Sequence, residues 1–140
     1  MALSRVLATV LLWAGLCGVA IAADRSAEGI DCANPQGTME SDLCASDRTA
    51  EADAELNATY AQARQALHDQ AASKACTHCD TAAAQLLAAQ RAWITLRDQD
   101  CRAVYAFNAD GTSRNGAEQH CLLTHTRDRT RQLRDFYELL

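Results

Sequence analysis

The chain has 140 residues, enough for one domain, with 49% hydrophobic residues, 22% charged residues and a formal net charge of −5. No basic tract occurs in it, which excludes a nucleic-acid-binding surface. The acidic balance leaves two physical meanings, solubility or long-range attraction of a basic partner.

The first residues, MALSR, give a short basic start, and no charge follows from Val6 to Ala23. Ala20 and Ala22 offer small residues at the two positions a signal peptidase reads, so residues 1–22 are expected to be a signal peptide cut before Ala23. The apolar run is short for a span of about 20 residues, and Leu16 before Cys17 makes a poor lipoprotein site. The mature protein is therefore expected in the periplasm or outside the cell, with no transmembrane segment after cleavage. Losing Arg5 leaves 12 basic against 18 acidic residues. Nine acids and only Arg25 and Arg48 lie within 24–55, a net −7, and Glu40, Asp42, Asp47 and Glu51 are the part of that segment offered to a basic partner.

Residues 23–37 hold two of the six glycines, the sole proline and Cys32, and read as a leader to a helical domain over 38–140. Thr38 is placed as the N-cap of a first helix, with Glu40 and Asp42 in its first turn. It runs without Gly or Pro to about Ala72, and Asp53, Leu56, Asn57, Tyr60, Arg64 and Leu67 form one stripe. The stretch SKACTHCDT connects it to a second helix, capped by Asp80 or Thr81 and ending near Phe107. Residues 108–116, NADGTSRNG, read as a loop from their Asp-Gly and Asn-Gly signals. A third helix is expected from about Ala117 to Leu139, with Leu122, Thr126, Arg129, Leu133, Phe136, Tyr137 and Leu140 as its stripe. No alternating stretch competes. The expected fold class is all-α, a three-helix antiparallel bundle stapled by disulfides.

Six cysteines remain in the mature chain, which argues for three disulfides among 15 possible pairings. Cys44, Cys101 and Cys121 fall at one end of such a bundle, within reach of Cys32, while Cys76 and Cys79 fall at the other. A local Cys76–Cys79 bond follows, and Cys32–Cys44 with Cys101–Cys121 is favoured for the rest. Cys76-Thr77-His78-Cys79 is also a CxxC. A redox pair would want a helix N-terminus after a strand, and no strand pattern precedes Cys76. A metal site would want two further ligands. Neither a metal nor a cofactor is expected.

In the stretch QRAWITLRDQDC, Gln90, Trp93, Arg97 and Cys101 fall within about 80° of one another on a helix. Arg129 likewise shares a stripe with core residues. Buried charge is costly unless paired, so Arg97 is expected to meet Asp53. Asn57, Tyr60, Gln90, Trp93 and Arg129 are expected to complete a structural polar network, with a ligand site as the alternative. Breaking a fully buried pair would cost about 3–5 kcal/mol.

In order along the chain, the residues that carry a resemblance are Cys32, Thr38 and Cys44; Ala52-Asp53, Leu56-Asn57 and Tyr60; Gln90, Trp93, Arg97-Asp98 and Cys101; Tyr105; Gly111-Thr112-Ser113; and Cys121, Thr126, Arg129 and Leu133. Together they resemble the LprI-type lysozyme inhibitor family over about residues 32–134. The Cys76–Cys79 loop lies outside that pattern. The resemblance implies an exported α-helical domain and, for some members, inhibition of host lysozyme. No catalytic residue is expected, because no Ser, Cys or His is set beside a base, and Asp98 and Asp100 read as solvated. A protein partner, c-type lysozyme, is the leading expectation. The alternatives are a non-inhibitory envelope interaction module and a CxxC thiol–disulfide protein. Besides the acidic segment, the candidate contact is the loop with Asn108, Asp110, Gly111, Thr112, Ser113 and Arg114.

Overall fold

A computed structural model describes residues 28–137; the expected signal peptide, residues 23–27 of the leader, and residues 138–140 with Leu140 of the third stripe lie outside the described residues. Three helices follow one another: α1 (Thr38–Ala72), α2 (Cys79–Phe107) and α3 (Arg114–Tyr137). None of them is long and apolar enough to cross a membrane. The 35 residues of α1 contain no Gly or Pro, so nothing interrupts its hydrogen-bond ladder over about 52 Å.

Contacts fix the directions. Asp42, Thr49, Asp53 and Glu55 of α1 meet Asn115, Gln119, Thr126 and Arg134 of α3 in rising order, so these helices run parallel. Against α3, the α2 residues fall as α3 rises: Cys101 with Cys121, Arg97 with Thr126, Gln90 with Arg129. The bundle is up-down-up.

Three helix starts differ from those expected. The N-cap of α1 is Gly37, at φ 109°, with no side-chain cap. Glycine reaches that left-handed backbone without strain, and Thr38 becomes the first helical residue. His78 precedes α2, so Asp80 and Thr81 lie inside its first turn rather than capping it. Helix α3 starts at Arg114, three residues earlier than Ala117, because its first turn is held from outside: the Asn115 amide donates to Asp42 Oδ2 at 2.9 Å.

The interior is divided lengthwise. Leu56, Ala63, Leu67, Leu86, Leu133 and Cys79 form the apolar core, toward the α1–α2 connection. The half nearer the start of α1 buries Cys44, Thr49, Ala52 and Cys101 instead, with Thr126 at the boundary. Disulfides and hydroxyls there replace a leucine core. Three positions of the expected stripes leave the interior. Asn57 and Arg64 are exposed, and Phe136 is 66% exposed because no fourth helix among the described residues covers that side of α3. Leu133→Ala should accordingly cost about 2–5 kcal/mol, whereas Phe136→Ser, three residues on, should change stability by less than about 0.5 kcal/mol. Urea melts of both variants check this.

Candidate functional site

Two groups of polar residues stand out. The first joins the helices at mid-height. Arg97 Nη1 of α2 donates to Asp53 Oδ1 of α1 at 2.8 Å and to Thr126 Oγ1 of α3 at 3.2 Å. The Thr126 hydroxyl in turn donates to the same Asp53 oxygen at 3.2 Å. Arg97 Nε donates to Asp98 Oδ1 at 3.0 Å, and its guanidinium lies 5.0 Å from the Trp93 ring centroid. The guanidinium is thus held on four sides: a carboxylate, a hydroxyl, a second carboxylate and an aromatic face. One turn away, Arg129 Nε donates to buried Gln90 Oε1 at 3.0 Å, and Arg129 Nη1 to Gln132 Oε1 at 3.3 Å.

Two expected members stand apart. Asn57 is exposed and takes no part, since α1 buries too narrow a stripe to reach it. The Tyr60 ring packs on the apolar core, but its buried hydroxyl has no hydrogen-bond partner. Thr126 is the member that sequence reasoning left out. The sequence places it on the α3 stripe and among the residues of the resemblance without giving it a partner, and at 0% exposure it is the most buried member of the triad. Asp98 and Asp100 keep 37% and 50% of their side chains exposed, as a solvated face requires, and each also has a partner: Arg97 for Asp98, His125 Nε2 at 3.5 Å for Asp100.

The second group lies at the end where α1 and α3 begin and α2 finishes. Cys32–Cys44 ties the leader to α1, and Cys101–Cys121 ties α2 to α3. The connection between α2 and α3 is shorter than expected, residues 108–113, and is braced from both sides. The Asn108 amide donates to Val104 O at 2.8 Å, closing α2, and Gly111 N donates to Asn108 O at 3.0 Å. Arg114, the first residue of α3, donates through Nε to the Tyr105 hydroxyl and through Nη1 to Gly111 O, each at 3.1 Å. Arg114 is therefore a brace, half-buried, while Asp110, Gly111, Thr112 and Ser113 are exposed.

Grooves run along this end. One of about 650 Å³ lies between Thr38, Ser41 and Asp42 on one side and Thr112, Ser113 and His120 on the other. A neighbour of about 490 Å³ is lined by Met39, Leu43 and Gln119 among others. Gly116 faces Asp42, where an added Cβ would sit 3.4 Å from Oδ1, so the two helices approach closely at this point. The acids of the candidate segment divide by task. Asp42 is committed to α3, and Glu40 Oε2 accepts from Gln36 N at 2.6 Å. Glu51 is exposed on α1 about two turns beyond Asp42. Sequence periodicity gave no hint of two apolar side chains exposed at this end, Met39 at 73% and Phe107 at 91%.

The third bond, Cys76–Cys79, sits at the opposite end, with Cys79 as the first residue of α2. The pair thus occupies a helix N-terminus, preceded by α1 rather than by a strand. Cys101, Cys121 and His125 bring ligand-type atoms within 4.8 Å of one another, but the two sulfurs are bonded to each other and present no thiolates to an ion.

A family model described as lysozyme inhibitor LprI matches residues 32–133, from the leader cysteine to the last buried leucine of α3. An uncharacterised protein of Rhizobium meliloti (strain 1021) is 37% identical over 113 residues, covering 77% of this chain and 79% of that protein. No solved structure matches the chain.

The geometry lowers the expected cost of breaking the triad. The Asp53 side chain is 40% exposed, against 15% for Arg97, so water can solvate the carboxylate once the arginine is gone. Arg97→Ala should cost about 1–3 kcal/mol, the worth of hydrogen bonds to charged groups, rather than the cost of a fully buried pair. Thr126→Val should cost a similar amount, and the double variant less than the sum. Melting equal to wild type in both single variants would show that the triad does not hold the bundle.

Proposed function

The chain belongs to the LprI family of lysozyme inhibitors, and from that premise we propose that the mature protein is exported and binds c-type lysozyme, blocking it without turnover or cofactor. The family match over nearly all of the described residues is the observation that carries this reading. Export rests on the signal peptide expected over residues 1–22, and it puts the protein where lysozyme is met.

Contact falls to the end where the leader, the start of α1 and the 108–113 connection converge. Two arguments support that choice. An inhibitor must cover a substrate cleft with a surface that gives up little entropy on docking, and this connection is braced by Asn108, Arg114 and the Cys101–Cys121 bond. Interfaces also draw their affinity from a few aromatic and methionine anchors, and Phe107 and Met39 are exposed here. The acidic segment has a different task. c-Type lysozyme is a basic enzyme, and acids around the contact raise the rate of encounter more than the affinity. Glu40, Asp42, Asp47 and Glu51 supply that field on this reading, Asp42 while also accepting from the neutral Asn115 amide.

The test is lysis of bacterial cells by c-type lysozyme, with and without the mature protein. Wild type should protect. Phe107→Ala should raise the half-inhibitory concentration about ten-fold or more, equivalent to about 1.4 kcal/mol, with unchanged melting. Replacing residues 109–113 by glycines should abolish protection while α3 keeps its first turn. Raising salt from about 0.05 M to 0.5 M should slow association about ten-fold or more, because the Debye length shrinks to a few ångströms. Absence of both binding and protection at micromolar protein would defeat this reading in favour of a non-inhibitory envelope module.

A further inference from the structure

The CxxC bond has no part in the contact described above, and its surroundings give it one of its own. We propose that Cys76–Cys79 is a thiol–disulfide exchange site that takes the thiols of another exported protein as its reactant. The two sulfurs are unequal. Cys79 is 1% exposed, while Cys76 lies half-buried in the connection before α2. An incoming thiolate therefore attacks Cys76 Sγ. The bond between the two sulfurs breaks, Cys79 leaves as the thiolate, and Cys76 becomes joined to the partner.

The leaving sulfur belongs to the first residue of α2. The first helical hydrogen bond there is from Ala82 N to His78 O at 2.9 Å, so the amides of Cys79, Asp80 and Thr81 precede the ladder. That end of a helix carries partial positive charge, which offsets the cost of forming a thiolate at a sulfur buried in the apolar core. Cys79 Sγ also lies 3.9 Å from Gln70 Oε1 of α1. In the disulfide the sulfur has no proton to offer. Once Cys79 takes up a proton from water, its thiol can donate to that oxygen, so the contact favours the reduced form. A second thiolate of the partner then attacks the partner's own sulfur in the mixed disulfide, and Cys76 is released as a thiolate that is protonated in turn. Two partner thiols have lost two electrons and two protons to form a disulfide, and Cys76 and Cys79 have gained them.

Reduction at this site is also separable from unfolding. The Cys76–Cys79 bond spans a sequence separation of 3, against 12 and 20 for the other two bonds. A bond that closes so short a loop restrains the unfolded chain least. Leu67 and Leu86 hold α1 and α2 together beside it through packing alone.

The experiment equilibrates the mature wild-type chain in glutathione buffers of increasing reducing strength, alkylates free thiols and reads each cysteine by mass spectrometry, with helicity followed in parallel. Cys76 and Cys79 should become alkylated together at a thiol-to-disulfide ratio at least ten-fold lower than the other four cysteines, with helicity retained. In Gln70→Leu the ratio needed should rise several-fold. Cys79→Ser should carry one glutathione on Cys76, and a peptide dithiol should be oxidised stoichiometrically by wild type but not by Cys76→Ser. Reduction of all three bonds together with loss of helicity, or of Cys76–Cys79 last, would overturn the proposal. The wild-type titration decides even if a variant fails to fold.

Discussion

A guanidinium inside a small bundle is the constraint on which the rest depends. Arg97 cannot be buried among apolar groups without partners, and its partners come from both other helices: the Asp53 carboxylate and the Thr126 hydroxyl. Asp53 and Thr126 also bond each other, so the three groups close a ring that joins α1, α2 and α3 at one level. Sliding any helix by one residue moves its side chains about 1.5 Å along the axis and 100° around it, which breaks the ring. The apolar core cannot set the register as sharply, because beside its four leucines it is built largely of small residues, Ala63, Ala71, Ala82 and Ala83 among them. Buried polar groups of this kind add little net stability but narrow the choice of packing. In this protein they choose which faces of α1 and α3 meet.

With the register set, the two halves of the bundle hold together by different means. Toward the α1–α2 connection, leucines pack. Toward the other end, disulfides and threonines fill the interior, and little apolar surface is buried. The disulfide-held end is also where loops, grooves and exposed Phe107 and Met39 gather. Covalent bonds let that end keep polar and exposed groups in fixed positions, which a core of leucines could do only by burying them. A surface held this way is stiff in the free protein, and stiffness lowers the entropic cost of any association it makes.

The sequence reveals the helices more readily than their ends. Long stretches without Gly or Pro, with apolar residues at helical spacing, leave no alternative to three helices. The ends are set by forces that spacing does not carry. Gly37 wins the cap of α1 through its backbone conformation over the side-chain oxygen of Thr38, and Asn115 draws α3 back by a bond to α1 that no local motif announces. Stripe arithmetic shows Asp53 and Arg97 facing one another, and they meet. The same arithmetic enlists Asn57 and Phe136, because it assumes a wide buried face, whereas among the described residues each helix has two neighbours and buries a narrow one. Phe107 has no periodic signature at all: it is the last residue of its helix, and only the shape of the end reveals its exposure.

On the two proposals made above, the ends have separate roles, partner contact at one and thiol chemistry at the other, with the Arg97 ring between them. Amide hydrogen exchange of the mature chain, with and without saturating c-type lysozyme, tests that division most directly. The expected result is slowed exchange at residues 38–42 and 108–116, with residues 73–79 unchanged. Protection confined to residues 73–79 or to the outer face of α2, or no protection anywhere, would contradict it.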